Sequence, residues 1–157
     1  MCRIHSRDPL SQKKSEGVQE LTLPAYTELH CISNFTFLRG ASFPEELVST
    51  ADLLGYSALA ITDECSFSGI VRAHVAAKKK NIELIIGSEF MLDKELPNGN
   101  SVKDCRLIML ASNRVGYGHL SHLITCARRE TKKGDYRIDR KMVENNYPQD
   151  CLSLWVP

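Results

Sequence analysis

Three apolar runs of this chain each give way to a side chain able to hold a divalent cation. His30 follows "AYTEL", the pair Asp63 and Glu64 follows "SALAIT", and Glu89 follows "IELIIG". Imidazole nitrogen and carboxylate oxygen are donors that zinc and manganese accept. A cation held there would polarise a phosphoryl oxygen and acidify a bound water, the chemistry of phosphoester hydrolysis. A single His or Glu after a strand more often contacts only its own loop, so both readings stand on the pattern alone.

The elements that must position these groups alternate. "AYTEL" (25–29), "SALAIT" (57–62), "IELIIG" (82–87), "RLIMLAS" (106–112) and "CLSLWV" (151–156) read as strands. "SFPEELVSTADLLG" reads as a helix, with Ser42 as cap, Pro44 in the first turn and Gly55 at the exit. "SGIVRAHVAAKKKN" places Ile70, Ala73, His74 and Ala77 on one helical face. "GYGHLSHLITCARRETKKG" repeats Leu120, Leu123, Ile124 and Ala127 at helical spacing and ends at Gly134. "DRKMVENN" suits one short helix. Strands alternating with helices at these lengths predict βαβ units and a mainly parallel sheet. In such sheets chemistry collects at the carboxyl ends of strands, where His30, Asp63, Glu64 and Glu89 fall; Arg106 is expected to begin its strand instead.

Composition narrows the classes. The chain has 157 residues, enough for one domain, and a net charge of +1 that declares no nucleic-acid partner. The charge is uneven: Ser101 to Lys141 holds ten Lys or Arg against four Asp or Glu, which suits either an anionic partner or a solvated helix face. The six cysteines form no C-x-x-C pair and read as reduced thiols of a cytoplasmic protein. No run reaches the roughly 18 apolar residues of a membrane span, so no membrane partner is expected. Residues 1–22 are polar and aperiodic and read as a flexible leader before a domain over 23–157. Cys31 and Cys65 read as small packing residues, and His74 as a core or edge histidine. His119 and His122 are spaced i, i+3 without an evident third ligand, and "RRETKK" (128–133) reads as a solvated helix end or a phosphate contact.

Three ordered strings go further. "ELHCISNFTFLRGASFPEELV", "LGYSALAITDECSFSGIVRAHVAAKKKNIELIIGSEF" and "RLIMLASNRVGYGHLSHLI" resemble the PHP domain that opens bacterial family C DNA polymerases, most of all the error-prone, damage-associated branch. The resemblance runs from about Ala25 to the end. It implies an α/β fold, a distorted (β/α)7 barrel of which this chain supplies the early part. It implies a parent that performs DNA-directed DNA synthesis with magnesium, lesion bypass and damage-induced mutagenesis, with polymerase motifs far downstream. The implied partners are the rest of that polypeptide, DNA through it, and other mutagenesis proteins.

Metal-binding members of this family carry His-x-His in the first string, an acid before the Gly of "LRG", Asp-His in the second string and His opening the third. Here His30, Asp63 and Glu89 match, whereas Ile32, Arg39, Glu64 and Arg106 stand in the other ligand places. Ile has no donor atom, and a guanidinium has no free lone pair. The expectation is therefore a remnant site, with no cofactor needed by this segment and zinc or manganese bound only if the remnant still works. Arg39 and Arg106 would supply the missing positive charge to Asp63, Glu64 and Glu89. The chain by itself is expected to be inactive, a platform for the polymerase. Two alternatives remain: a metal-dependent phosphoesterase or 3′–5′ exonuclease, and a stand-alone module binding DNA or a mutagenesis protein.

Overall fold

Five strands form one curled sheet in the order β1-β2-β3-β4-β5. The computed structural model describes residues 25–156 except 81, 97, 100 and 130, so the leader expected over 1–22 lies outside the described residues. β1 (Thr27–Cys31), β2 (Ala58–Ile61) and the start of β3 (Glu83–Glu95) run parallel, joined by α1 (Pro44–Leu53) and α2 (Ile70–Ala77). β2 is the central strand of this set, buried at every position, which explains its unbroken apolar run.

The remaining topology differs in one respect from the expected βαβ repeat. β3 continues past the apolar run to Glu95 and returns directly as β4 (Ser101–Ala111), antiparallel to it. No helix intervenes, so no parallel crossover is possible. Lys103 and Asp93, paired across these arms, form an ion pair at 3.0 Å. α3 (Arg114–Arg129) and α4 (Arg140–Asn145) then lead to β5 (Cys151–Val156), antiparallel to β4. Thus β1, β2, β3 and β5 point one way and β4 is reversed. Arg106 consequently lies within β4, opposite Met91, and does not begin it.

Helices pack on one face of the sheet, and side chains of the strands themselves cluster on the other. On the first, Leu59 and Ile61 pack with Val48 and Ala51 of α1 and Ile70, Ala73 and Ala77 of α2. Phe90, Leu107 and Met109 pack with Leu120, Leu123 and Ala127 of α3. The alternate residues Ala60, Ile108 and Leu110 face the other way, with Ile85, Leu154 and Val156.

Helix ends follow local chemistry. α1 is capped by Glu46, whose carboxylate accepts from the Phe43 N–H at 2.8 Å, and not by Ser42. Its exit uses Gly55 at φ 75°. α3 starts two residues earlier than its apolar pattern, because Asn113 Oδ1 accepts from the Val115 and Gly116 N–H groups at 2.8 and 3.0 Å. Asp139 caps α4 through the Met142 N–H at 2.7 Å.

Two glycines of α3 provide a test of this packing. A Cβ on Gly116 would lie 2.1 Å from the Asp150 carbonyl oxygen, whereas one on Gly118 would meet nothing within 4 Å. Gly116→Ala is expected to lose about 1–3 kcal/mol, as overpacking against backbone does. Gly118→Ala should gain about 0.5–1 kcal/mol from helix propensity. Urea unfolding midpoints of the two variants should therefore move in opposite directions.

Candidate functional site

The parallel strands bring their carboxyl ends together, and Glu89 lies at the centre of what they gather. Its side chain is fully buried and each oxygen is engaged. Oε2 meets His30 Nε2 at 2.6 Å, and Oε1 accepts from Arg39 Nη1. Arg106 Nε stands 3.5 Å from Oε2, an ion-pair separation without hydrogen-bond geometry. Arg106 is able to approach because Glu89 pairs with Ile108, which leaves Arg106 diagonal to it on the same face.

Glu64 completes this cluster. The same Arg39 Nη1 donates to Glu64 Oε2 at 2.7 Å, and the Tyr136 hydroxyl donates to Oε1 at 2.6 Å. Partial burial works against the charged carboxylate, but Tyr136 and Arg39 together hold the Glu64 carboxyl below its usual value. Arg39 is itself held protonated above its ordinary value, chiefly by its bond to Glu89. Tyr136 also accepts from the Met91 N–H at 2.9 Å. Burial first, and its bond to Glu64 second, push the phenol well above the usual tyrosine range. The backbone locks the pair: Cys65, at φ 44°, donates its N–H to the Glu89 carbonyl at 2.9 Å.

Asp63 does something else. Its buried carboxylate turns to the loop between β1 and α1, where it accepts from Ser33 N, Ser33 Oγ and Thr36 Oγ1, each at 2.7 Å. The sequence expectation that Arg39 and Arg106 balance Asp63 is corrected here: both of them face Glu89, and three uncharged donors serve Asp63. Thr36 Oγ1 also accepts from the Glu64 N–H at 3.0 Å. Gly40 closes the loop, since a Cβ there would lie 1.9 Å from the Ser33 carbonyl oxygen. Ile32 is half-buried and brings no donor atom.

The other candidates lie elsewhere. Cys31 and Cys65 pack in the core, where burial pushes both thiols up to about 11, so neither is a nucleophile at neutral pH. His74 is exposed on α2, off the face formed by Ile70, Ala73 and Ala77, and so is not a core residue. His119 contacts the Gln149 carbonyl at 3.1 Å, and His122 contacts Cys126 Sγ at 3.5 Å, so the two do not converge. Arg128 is not a free phosphate contact, because its Nε donates to the Cys65 carbonyl at 2.8 Å. Ser33, Thr36, Tyr136 and Arg128 carry no sequence pattern that marks them as parts of the site.

A divalent ion does not fit this donor set. Both oxygens of Asp63, of Glu64 and of Glu89 already accept from protein donors or meet the His30 ring. Among the described residues, no group of three or more His, Cys, Asp or Glu is placed to hold a metal.

Comparisons with known proteins place this geometry. The PHP domain family model matches residues 28–155. The chain is 53% identical over 141 residues to an error-prone DNA polymerase of Dechloromonas aromatica, covering 87% of this chain and 13% of that protein. It is 48% identical over 132 residues to an error-prone DNA polymerase of Methylococcus capsulatus, covering 84% of this chain and 12% of that protein. The chain thus spans about an eighth of the length of these curated relatives. Among solved structures, a Bifidobacterium adolescentis protein described as a metal-dependent phosphoesterase superposes with a TM-score of 0.51 at 21% identity. That match covers 68% of this chain and 34% of the other, and it shows a shared fold.

Asp63→Asn tests the loop clasp. An amide nitrogen would face a donor, and a charge-assisted acceptor would be lost, so a cost of about 2–4 kcal/mol is expected in chemical unfolding. An unchanged midpoint would contradict the clasp. Tyr136 adds a pH dependence. The folded state holds its phenolic proton more tightly than the unfolded state does, so this contribution is complete below the ordinary tyrosine value near about 10 and is lost as pH rises above it. Stability of Tyr136→Phe should fall less steeply above that pH than stability of the native chain.

Proposed function

The chain belongs to the PHP domain family, and on that premise we propose that it is the PHP-domain portion of an error-prone DNA polymerase, serving there as a structural platform. The observation that carries this reading is the high identity to error-prone DNA polymerases over nearly the whole described chain. The matched segment is only 12–13% of those relatives. DNA-directed synthesis with magnesium, bypass of lesions and damage-induced mutagenesis belong, in this proposal, to the longer polypeptide. Its remainder is the direct partner, DNA is met through it, and other mutagenesis proteins join the assembly in the cytoplasm. Among the described residues no helix is long and apolar enough to cross a membrane.

The site supports a platform over a catalyst. Phosphoester hydrolysis by metal needs a cation with an open coordination position to activate water. Here the carboxylate oxygens are spent on protein donors, so the residues hold one another and not an ion. The surface supports the same role. On α2, Val71 is 72% exposed and Val75 50% exposed. An open groove of about 620 Å³ beside Val71 is lined mainly by apolar side chains, among them Ile70, Leu84, Ile86 and Tyr117, with His74 and Arg114 also lining it. Apolar surface of this kind suits packing against the rest of a large enzyme.

Primer extension tests the proposal. When this chain replaces the matching segment of the Dechloromonas aromatica polymerase, the chimera is expected to extend a primer. The chain alone is expected neither to add nucleotides nor to release them from a 3′ end in zinc or manganese. Nucleotide release by the purified chain that a chelator abolishes, and that Glu89→Gln removes, would overturn the platform reading in favour of an exonuclease.

A further inference from the structure

We infer that Arg39 is a tethered cation, closing with its own guanidinium a cation site formed by Glu64 and Glu89. The inference rests on the PHP reading, in which the fold family seats metal at this end of the barrel. It also rests on the failure of this donor set to fit an ion.

The geometry is specific. One nitrogen, Arg39 Nη1, touches both Glu64 Oε2 and Glu89 Oε1. A single positive centre thus bridges two carboxylates from separate chain segments, as a metal ion does. The other oxygen of each carboxylate is taken by a different element, Tyr136 for Glu64 and His30 for Glu89. The loop that delivers Arg39 is built rigidly. Asp63 fastens Ser33 and Thr36, and Gly40 lies against the Ser33 carbonyl. Leu38 adopts φ 64°, a left-handed conformation costly for a branched side chain, and is left 92% exposed while Arg39 turns inward to the carboxylates. A strained turn beside an inward-aimed guanidinium is the arrangement expected if holding the cation is what the loop is for.

Two consequences follow. Chelators do not loosen this junction, because its cation is covalently part of the chain. Removing the guanidinium leaves two facing carboxylates, one fully buried, with a vacancy that a small cation from solution is able to enter.

The test uses the whole chain. Elemental analysis after equilibration with zinc and manganese, followed by removal of excess, should find neither metal in the native protein. Its melting midpoint should not respond to a chelator. Arg39→Ala should melt lower than the native chain. Millimolar methylguanidinium should restore most of that loss, and so should manganese or zinc, with no effect of either on the native protein. Arg39→Ala combined with Glu64→Gln should lose the rescue. If Arg39→Ala does not fold, Arg39→Gln carries the test: it keeps a hydrogen-bond donor on a polar side chain without the charge, and a midpoint below that of the native protein is expected. Stoichiometric metal in the native chain overturns the inference, as does an Arg39→Ala midpoint that is unchanged or insensitive to every added cation, or an Arg39→Gln midpoint equal to the native one. Any of these results would leave the primer-extension outcome standing, because that experiment asks whether the domain serves the polymerase and not what holds it closed.

Discussion

A carboxylate with no access to water, Glu89, sets the terms for this end of the molecule. Taking an ion out of water costs several kcal/mol unless partners replace the lost solvation. Glu89 cannot move to reach water, because its backbone is fixed on both sides: its N–H bonds the Asp63 carbonyl and its carbonyl accepts from Cys65. The partners must therefore come to it. His30 arrives from β1, Arg39 from the following loop and Arg106 from β4. Four separate segments are thereby committed to one register, and a shift of β3 by one residue would turn Glu89 to the opposite face, into the cluster of Phe90 and Leu107.

The reversal of β4 belongs to the same constraint. Had β4 run parallel, with Arg106 at its start, the guanidinium would have begun at the amino end of the sheet, away from the carboxyl ends of β1 to β3. The hairpin brings the middle of β4 past Glu89 instead. Charge is then balanced locally: Glu64 and Glu89 are offset by Arg39 and Arg106. Asp63 stands apart and is stabilised by three uncharged donors, as the charge of a buried carboxylate can be when its hydrogen bonds are short and well aimed.

Much of this frame was legible in the sequence, for a physical reason. β2 and β5 appear as apolar runs of strand length, and Gly55 marks the exit of α1 because a left-handed residue is needed there. The arms of the β3–β4 hairpin were missed, although the Asn98-Gly99 dipeptide between them is a strong hairpin signal. Their outer parts, "DKE" and "VKD", are charged and largely exposed, so hydrophobic periodicity fades where the strands continue. At the site, His30 and Glu89 stood out as donors after apolar runs, and Arg39 and Arg106 as guanidiniums where the family resemblance expects an acid and an imidazole. Asp63 was misplaced, since nothing in the residue shows which donors will reach it. Tyr136 was invisible: it meets Glu64 across 72 residues of chain, and no local spacing records such a contact.

Replacing a metal by a tethered guanidinium changes what such a site can do. A divalent ion adds two charges and open coordination, so it binds water and acidifies it. It also remains in exchange with solution, and its occupancy depends on supply. A guanidinium adds one charge and five donors in a plane, with no lone pair and no vacant position. It organises carboxylates as an ion does, yet it cannot generate a nucleophile. Its local concentration is fixed by the chain, so the junction is complete whenever the loop is folded. In a domain that hydrolyses phosphoesters, that exchange would abolish the reaction. In a domain whose work is to keep the ends of β1, β2 and β3 in one arrangement for a neighbouring polypeptide, it removes a dependence on metal and leaves the arrangement intact.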